Sequence, residues 1–143
     1  MEQRRIAVED LLALALQAAA LSEGKERGEV WFTEEPATLH ATLKGIRDRY
    51  QHVFPDLAEL SFSGEGAFPY SPEVRQILGN LQLDGVIGRR NPSFDRFSPN
   101  IFAGTKQVVN DELRALFAED PDGQKAFADL VEELRGKLIV KTG

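Results

Sequence analysis

The stretch Tyr70–Pro99, YSPEVRQILGNLQLDGVIGRRNPSFDRFSP, decides the fold, because it reads as a capped helix passing directly into a basic β-hairpin. Ser71 stands where a side chain accepts a free backbone N–H, and Pro72 falls in the first turn, where its missing donor costs nothing. Glu73 complements the positive end of the helix dipole. Val74, Ile77, Leu78 and Leu81 recur at helical spacing and predict a buried face, leaving Glu73, Arg75, Gln76, Asn80 and Gln82 for solvent or a partner. The helix ends at Leu83-Asp84-Gly85, where Gly85 is free to take a positive φ. Val86-Ile87 then opens a strand, Arg89-Arg90-Asn91-Pro92-Ser93 has turn chemistry, and Phe94-Asp95-Arg96-Phe97 alternates apolar with charged on the return.

Working outward, Leu12, Leu16 and Ala20 predict a helix over about Ile6 to Ser22, in the role of a core or dimer helix. The charged, glycine-bearing run Ser22–Gly28 reads as a solvated connector, and Val30-Trp31-Phe32 as the apolar anchor that restores burial. The single tryptophan, Trp31, is read as packing in preference to a binding surface. A second helix starts near Thr33 to Pro36 and buries Leu39, Leu43, Ile46, Tyr50 and Val53; Pro55 ends it. Leu57–Phe62 fits either a short turn of helix or a short strand, and Ser63–Pro69 is a loop. Downstream, a helix near Lys106–Glu119 buries Val109, Leu113, Leu116 and Phe117, and another near Gly123–Leu138 buries Phe127, Leu130, Val131 and Leu134. The expected architecture is mainly α with a small β-hairpin, a single domain over residues 1–143.

With 143 residues, 42% of them hydrophobic and 28% charged, the chain has the length and composition of one globular domain able to bury its own core. The absence of cysteine excludes disulfides, thiolate nucleophiles and cysteine-ligated metal sites, and fits a cytoplasmic location. The longest apolar run, Leu11–Leu21, contains Gln17 and falls short of the roughly 20 residues that cross a bilayer, so no membrane partner is expected. Arg4, Arg5 and Ala18-Ala19-Ala20 imitate a secretory signal, but Glu9 and Asp10 sit where its apolar region would begin.

Tyr70–Pro99 resembles the recognition helix and wing of a winged helix-turn-helix protein, through Ile77, Leu78 and Leu81, then Gly85-Val86-Ile87 and the arginine-rich hairpin. Phe68-Pro69-Tyr70-Ser71 is also loosely similar to the loop of Panacea-type antitoxin domains, which neutralise toxins in bacteria and phages. The match is local to residues 70–99 and implies a winged-helix-like unit with extra N- and C-terminal helices. One departure stands out: a helix-turn-helix joins its helices by a turn of about 3 to 4 residues, whereas here Phe54–Tyr70 intervenes.

Charge sorts the partners this resemblance implies. Pro72–Lys106 holds five basic residues (Arg75, Arg89, Arg90, Arg96, Lys106) against three acidic ones, while the whole chain carries −6. A DNA-binding role would use Arg89, Arg90 and Arg96 on phosphates and Arg75, Gln76 and Asn80 near base edges. The acidic body allows few phosphate contacts, so DNA binding calls for a homodimer, formed through the first or last helix. The plain alternative for the arginines is a solvated hairpin edge whose charges block edge-to-edge pairing, and for Phe94 and Phe97 it is hairpin packing in place of base stacking.

Catalytic motifs do not appear. His40 and His52 are read as surface residues, too far apart along one helix for a metal pair. Ser63-Gly64-Glu65-Gly66 lacks the lysine of a phosphate-binding loop, and Ser61, Ser63 and Ser71 lack a nucleophile elbow. The expectation is a non-enzymatic binding module of bacterial or phage type without cofactor or metal, acting on a protein partner as adaptor or antitoxin. The alternative is a dimeric DNA-binding regulator using helix 72–83 and hairpin 86–99.

Overall fold

A computed structural model describes residues 5–23, 30–64, 66–90 and 95–140. They form helix α1 (Val8–Leu21), strand β1 (Phe32–Thr33), helix α2 (Pro36–Tyr50), helix α3 (Pro72–Leu83), strands β2 (Ile87–Arg89) and β3 (Arg96–Pro99), and helices α4 (Thr105–Leu116) and α5 (Pro121–Leu138). The protein is thus mainly helical with a small antiparallel sheet, in the strand order β1-β3-β2.

The caps act as their residue types dictate. Ser71 Oγ accepts from the backbone N–H of Val74 with Pro72 behind it, so α3 begins and ends where local chemistry places it. Glu35 caps α2 by accepting from the backbone of Ala37 and Thr38, and Asp120 caps α5 by accepting from Gly123. Asp120-Pro121, a break in the sequence pattern, is therefore the first turn of α5, two residues earlier than the spacing of apolar residues indicates.

α1 and α5 supply the centre of the core. Leu11, Ala15 and Ala19 of the one and Leu130 and Leu134 of the other are completely buried, so the apolar faces of both helices pack within the chain. On α4 only Val109 and, just past its end, Phe117 are buried; Leu113 and Leu116 are half-buried against the core edge.

The strand β1 is the element that sequence periodicity misses. Phe32 pairs with Phe97 and Thr33 with Arg96, while β2 pairs Ile87 with Pro99, Gly88 with Ser98 and Arg89 with Phe97. The Phe32 and Phe97 rings stack at 5.4 Å, both buried, which settles Phe97 as packing; Phe94 and the turn residues 91–93 lie outside the described residues. Beyond the other edge of β1, Phe32 bridges to Ile139 and the Val140 N–H donates to Trp31 O at 2.8 Å. The anchor Val30-Trp31-Phe32 is thus two buried residues around a half-buried tryptophan.

The long connector between α2 and α3 is folded onto α3. Pro55–Glu59 is a turn of 3-10 helix that buries Leu57, so of the open segment Leu57–Phe62 the first three residues are helical and Leu60–Phe62 is neither helix nor strand. Ser63 and Tyr70 then pair across the loop, and the Glu73 carboxylate accepts from Ser61 N–H at 2.7 Å, Ser61 Oγ at 2.6 Å and Ser71 Oγ at 3.2 Å. Those bonds to the charged form hold the Glu73 carboxyl below its ordinary pKa.

Candidate functional site

Helix α3 and the hairpin place the six sequence-selected residues in three different situations. Arg75 and Gln76 are exposed on α3, and Arg90 is exposed at the end of the hairpin. Asn80 is half-buried and donates to Glu9 Oε1 of α1 at 2.9 Å, while its Oδ1 accepts from Gln76 at 3.2 Å, one turn earlier. Asn80 therefore joins helices within the fold, and it holds the amide of Gln76 along the helix.

The two remaining arginines are engaged by acidic neighbours. Arg89 makes a two-pronged ion pair with Glu34, Nη2 to Oε1 at 2.7 Å and Nε to Oε2 at 3.1 Å, and also donates to Gln82 at 3.3 Å. Both side chains are largely buried, at 18% and 8% exposure. Arg96 runs along β3 opposite Thr33, with its Nε buried, unpaired by any hydrogen bond and 3.8 Å from the Asp95 carboxylate. The four arginines are thus not equivalent free charges: Arg89 is held by Glu34, Arg96 has its Nε buried in the sheet, and Arg75 and Arg90 are exposed on separate elements.

Around the Glu34–Arg89 pair lies a groove of about 330 Å³, between the start of α2 and the face of α3, lined by Glu34, Pro36, Leu39, His40, Tyr70, Arg75, Leu78 and Arg89. Burial is the largest influence on Glu34 and raises its pKa despite the guanidinium beside it.

His40 corrects its reading as a surface residue. It is 2% exposed, stacked against the Tyr70 ring at 4.7 Å, and its Nδ1 accepts the backbone N–H of Ser71 at 3.0 Å. Burial, helped by the charge of Arg75, lowers the imidazole pKa, so the ring is neutral at pH 7. The signal was present in the sequence: His40 follows Leu39 and precedes Leu43 by three residues, on the rim of the buried stripe of α2. Arg75 reaches the Tyr70 hydroxyl at 3.4 Å, closing the outer wall of the groove. His52 is exposed.

A second feature was invisible to motif reading. Asn100 donates through its side chain to Gly85 O and through its backbone to Val86 O, each at 2.8 Å. Asn100 thus ties the chain just ahead of Ile101–Phe102 to the residues that follow α3; Leu83, the last residue of α3, is 87% exposed, Phe102 70% and Ile101 41%.

Among the described residues no group of three or more His, Cys, Asp or Glu is placed to hold a metal ion, and no helix is long and apolar enough to cross a membrane. Compared with protein-family models and with curated protein sequences, the chain matches none.

Proposed function

We propose that this chain is a non-enzymatic, winged-helix-like binding module of bacterial or phage type that engages a protein partner, as an adaptor or antitoxin. The observation that carries this reading is the exposure of Leu83, Ile101 and Phe102. Large apolar side chains left in water mark candidate surfaces for a complex, and aromatic anchors supply much of the energy there. The passage of α3 directly into an antiparallel hairpin supports the winged-helix reading.

The alternative, a dimeric DNA-binding regulator, draws support from Arg75, Gln76 and Arg90, which remain exposed on the helix and hairpin. Against it stand the net charge of −6 and the engagement of Arg89 by Glu34, which leave few cations for phosphates.

One comparison separates the two. A tagged chain expressed in its native host is expected to retain a stoichiometric protein partner that L83S and F102S release, with duplex DNA unshifted. A DNA affinity that falls steeply between about 50 and 200 mM salt, and that disappears in R75A and R90A but survives L83S and F102S, would replace the protein reading with the DNA one.

A further inference from the structure

The groove beside the Glu34–Arg89 pair combines three properties. The first is surplus charge. Glu34 and Arg89 neutralise each other, His40 is uncharged at pH 7, and the hydrogen-bond partner of Arg75 is a neutral phenol, so the lining groups carry one net positive charge.

The second is a waiting donor. Because Nδ1 of His40 accepts from Ser71, the proton of the neutral ring resides on Nε2, and that N–H has no hydrogen-bond partner among the described residues. The imidazole is buried in the protein and lines the groove. Unlike the buried Nε of Arg96, this N–H is open to the groove, where the acceptor of a ligand can take the place of solvent.

The third is size and lining. At about 330 Å³ the groove falls at the lower end of ligand pockets, which run from roughly 300 to 1,000 Å³. Pro36, Leu39, Leu78 and the Tyr70 ring provide apolar walls beside the two donors.

We propose that this groove binds a small organic carboxylate, whose anionic oxygens take the Arg75 guanidinium and the Nε2–H of His40 and whose apolar body lies against Tyr70, Leu39 and Leu78. A monoanion matches the single surplus charge, and a planar guanidinium is suited to a carboxylate. Inorganic phosphate, more highly charged at neutral pH and without an apolar body, fits the same walls poorly. Leu83, Ile101 and Phe102 do not line the groove, so this site stands or falls separately from the partner-binding reading.

The test is an NMR titration of the full chain with hexanoate and benzoate, with hexanamide, benzamide and inorganic phosphate in parallel. The carboxylates are expected to move the Tyr70 and Arg75 amides and the His40 ring signals saturably, while the neutral amides do not. R75Q, an exposed substitution whose folding is checked by its urea midpoint, is expected to weaken carboxylate binding at least tenfold. A distant control, R114Q, is expected to leave it unchanged. Absence of saturation by either carboxylate overturns the proposal, as does equal binding to R75Q. Phosphate saturating the same signals as tightly as hexanoate overturns the assignment to an organic anion.

Discussion

The imidazole of His40 in α2 accepts the backbone N–H of Ser71 at 3.0 Å, so one helix holds the capping residue of the next. Protonation at Nδ1 would set two donors against each other, and burial and Arg75 already oppose the charge, which places the folded pKa below the ordinary 6.5. Above that value both folded and unfolded chains carry a neutral ring, and the contribution to stability is complete. As pH falls below it, the unfolded chain takes up the proton more readily, and stability is lost toward the lower folded pKa. Glu34, whose folded pKa is raised, acts in the opposite sense at more acidic pH. The urea midpoint is expected to drop between about pH 7.5 and 5.5, and to drop less in H40L. An equal drop in H40L would assign the acid sensitivity to other groups. At pH 7.5 H40L itself should lose about 1–3 kcal/mol, the cost of an unpaired buried N–H.

Ser71 gives a second, smaller lever on the same junction. S71A removes the acceptor for Val74 N–H and one donor to Glu73, and is expected to cost about 1 kcal/mol in urea unfolding. S71D, which restores an acceptor at the cap, is expected to recover less than S71T, because its charge would face Glu73.

The Glu34–Arg89 pair is expected to behave as a largely buried ion pair does. E34Q and R89M each leave one charge without its partner and should cost about 3–5 kcal/mol, whereas the double variant should cost less than the sum of the two. Chemical denaturation of all four proteins gives the coupling energy directly. Additive losses would show that the two side chains act independently despite the 2.7 Å contact.

Two glycines near one another in sequence should respond with opposite signs. Gly79 lies within α3 with open space where a Cβ would go, so G79A is expected to gain up to about 1 kcal/mol of stability. Gly85 also has space, but its φ of +78° is left-handed, so G85A is expected to lose about 1–2 kcal/mol. Thermal unfolding of the two variants checks the contrast.

The parts of the fold legible in the sequence were those governed by neighbours along the chain. Ser71, Pro72 and the Val74–Leu81 spacing delimit α3 because cap and period act within a few residues. Strand β1 escaped because two residues carry no period, and its partner Phe97 is remote in the chain. That omission propagated into the site: Glu34, next to β1, is what pairs with Arg89, so without β1 the arginine reads as an ordinary exposed charge. Exposure of Leu83 was likewise hidden, since an apolar residue at a helix end looks the same whether or not the following loop covers it.

The sheet has a consequence for the order of folding. β3 joins β2 from just behind it but β1 from the first third of the chain, and β1 in turn meets Ile139 near the last helix. Each of the latter contacts closes a long loop, an entropic barrier that a local hairpin does not face. A chain emerging from the ribosome can therefore complete α3 and its hairpin early, while Phe32 waits for residues at both distances. Pulse-labelled hydrogen exchange is expected to protect the β2–β3 amides before the Trp31–Val140 bond, making the tail's attachment to β1 the closing event of folding.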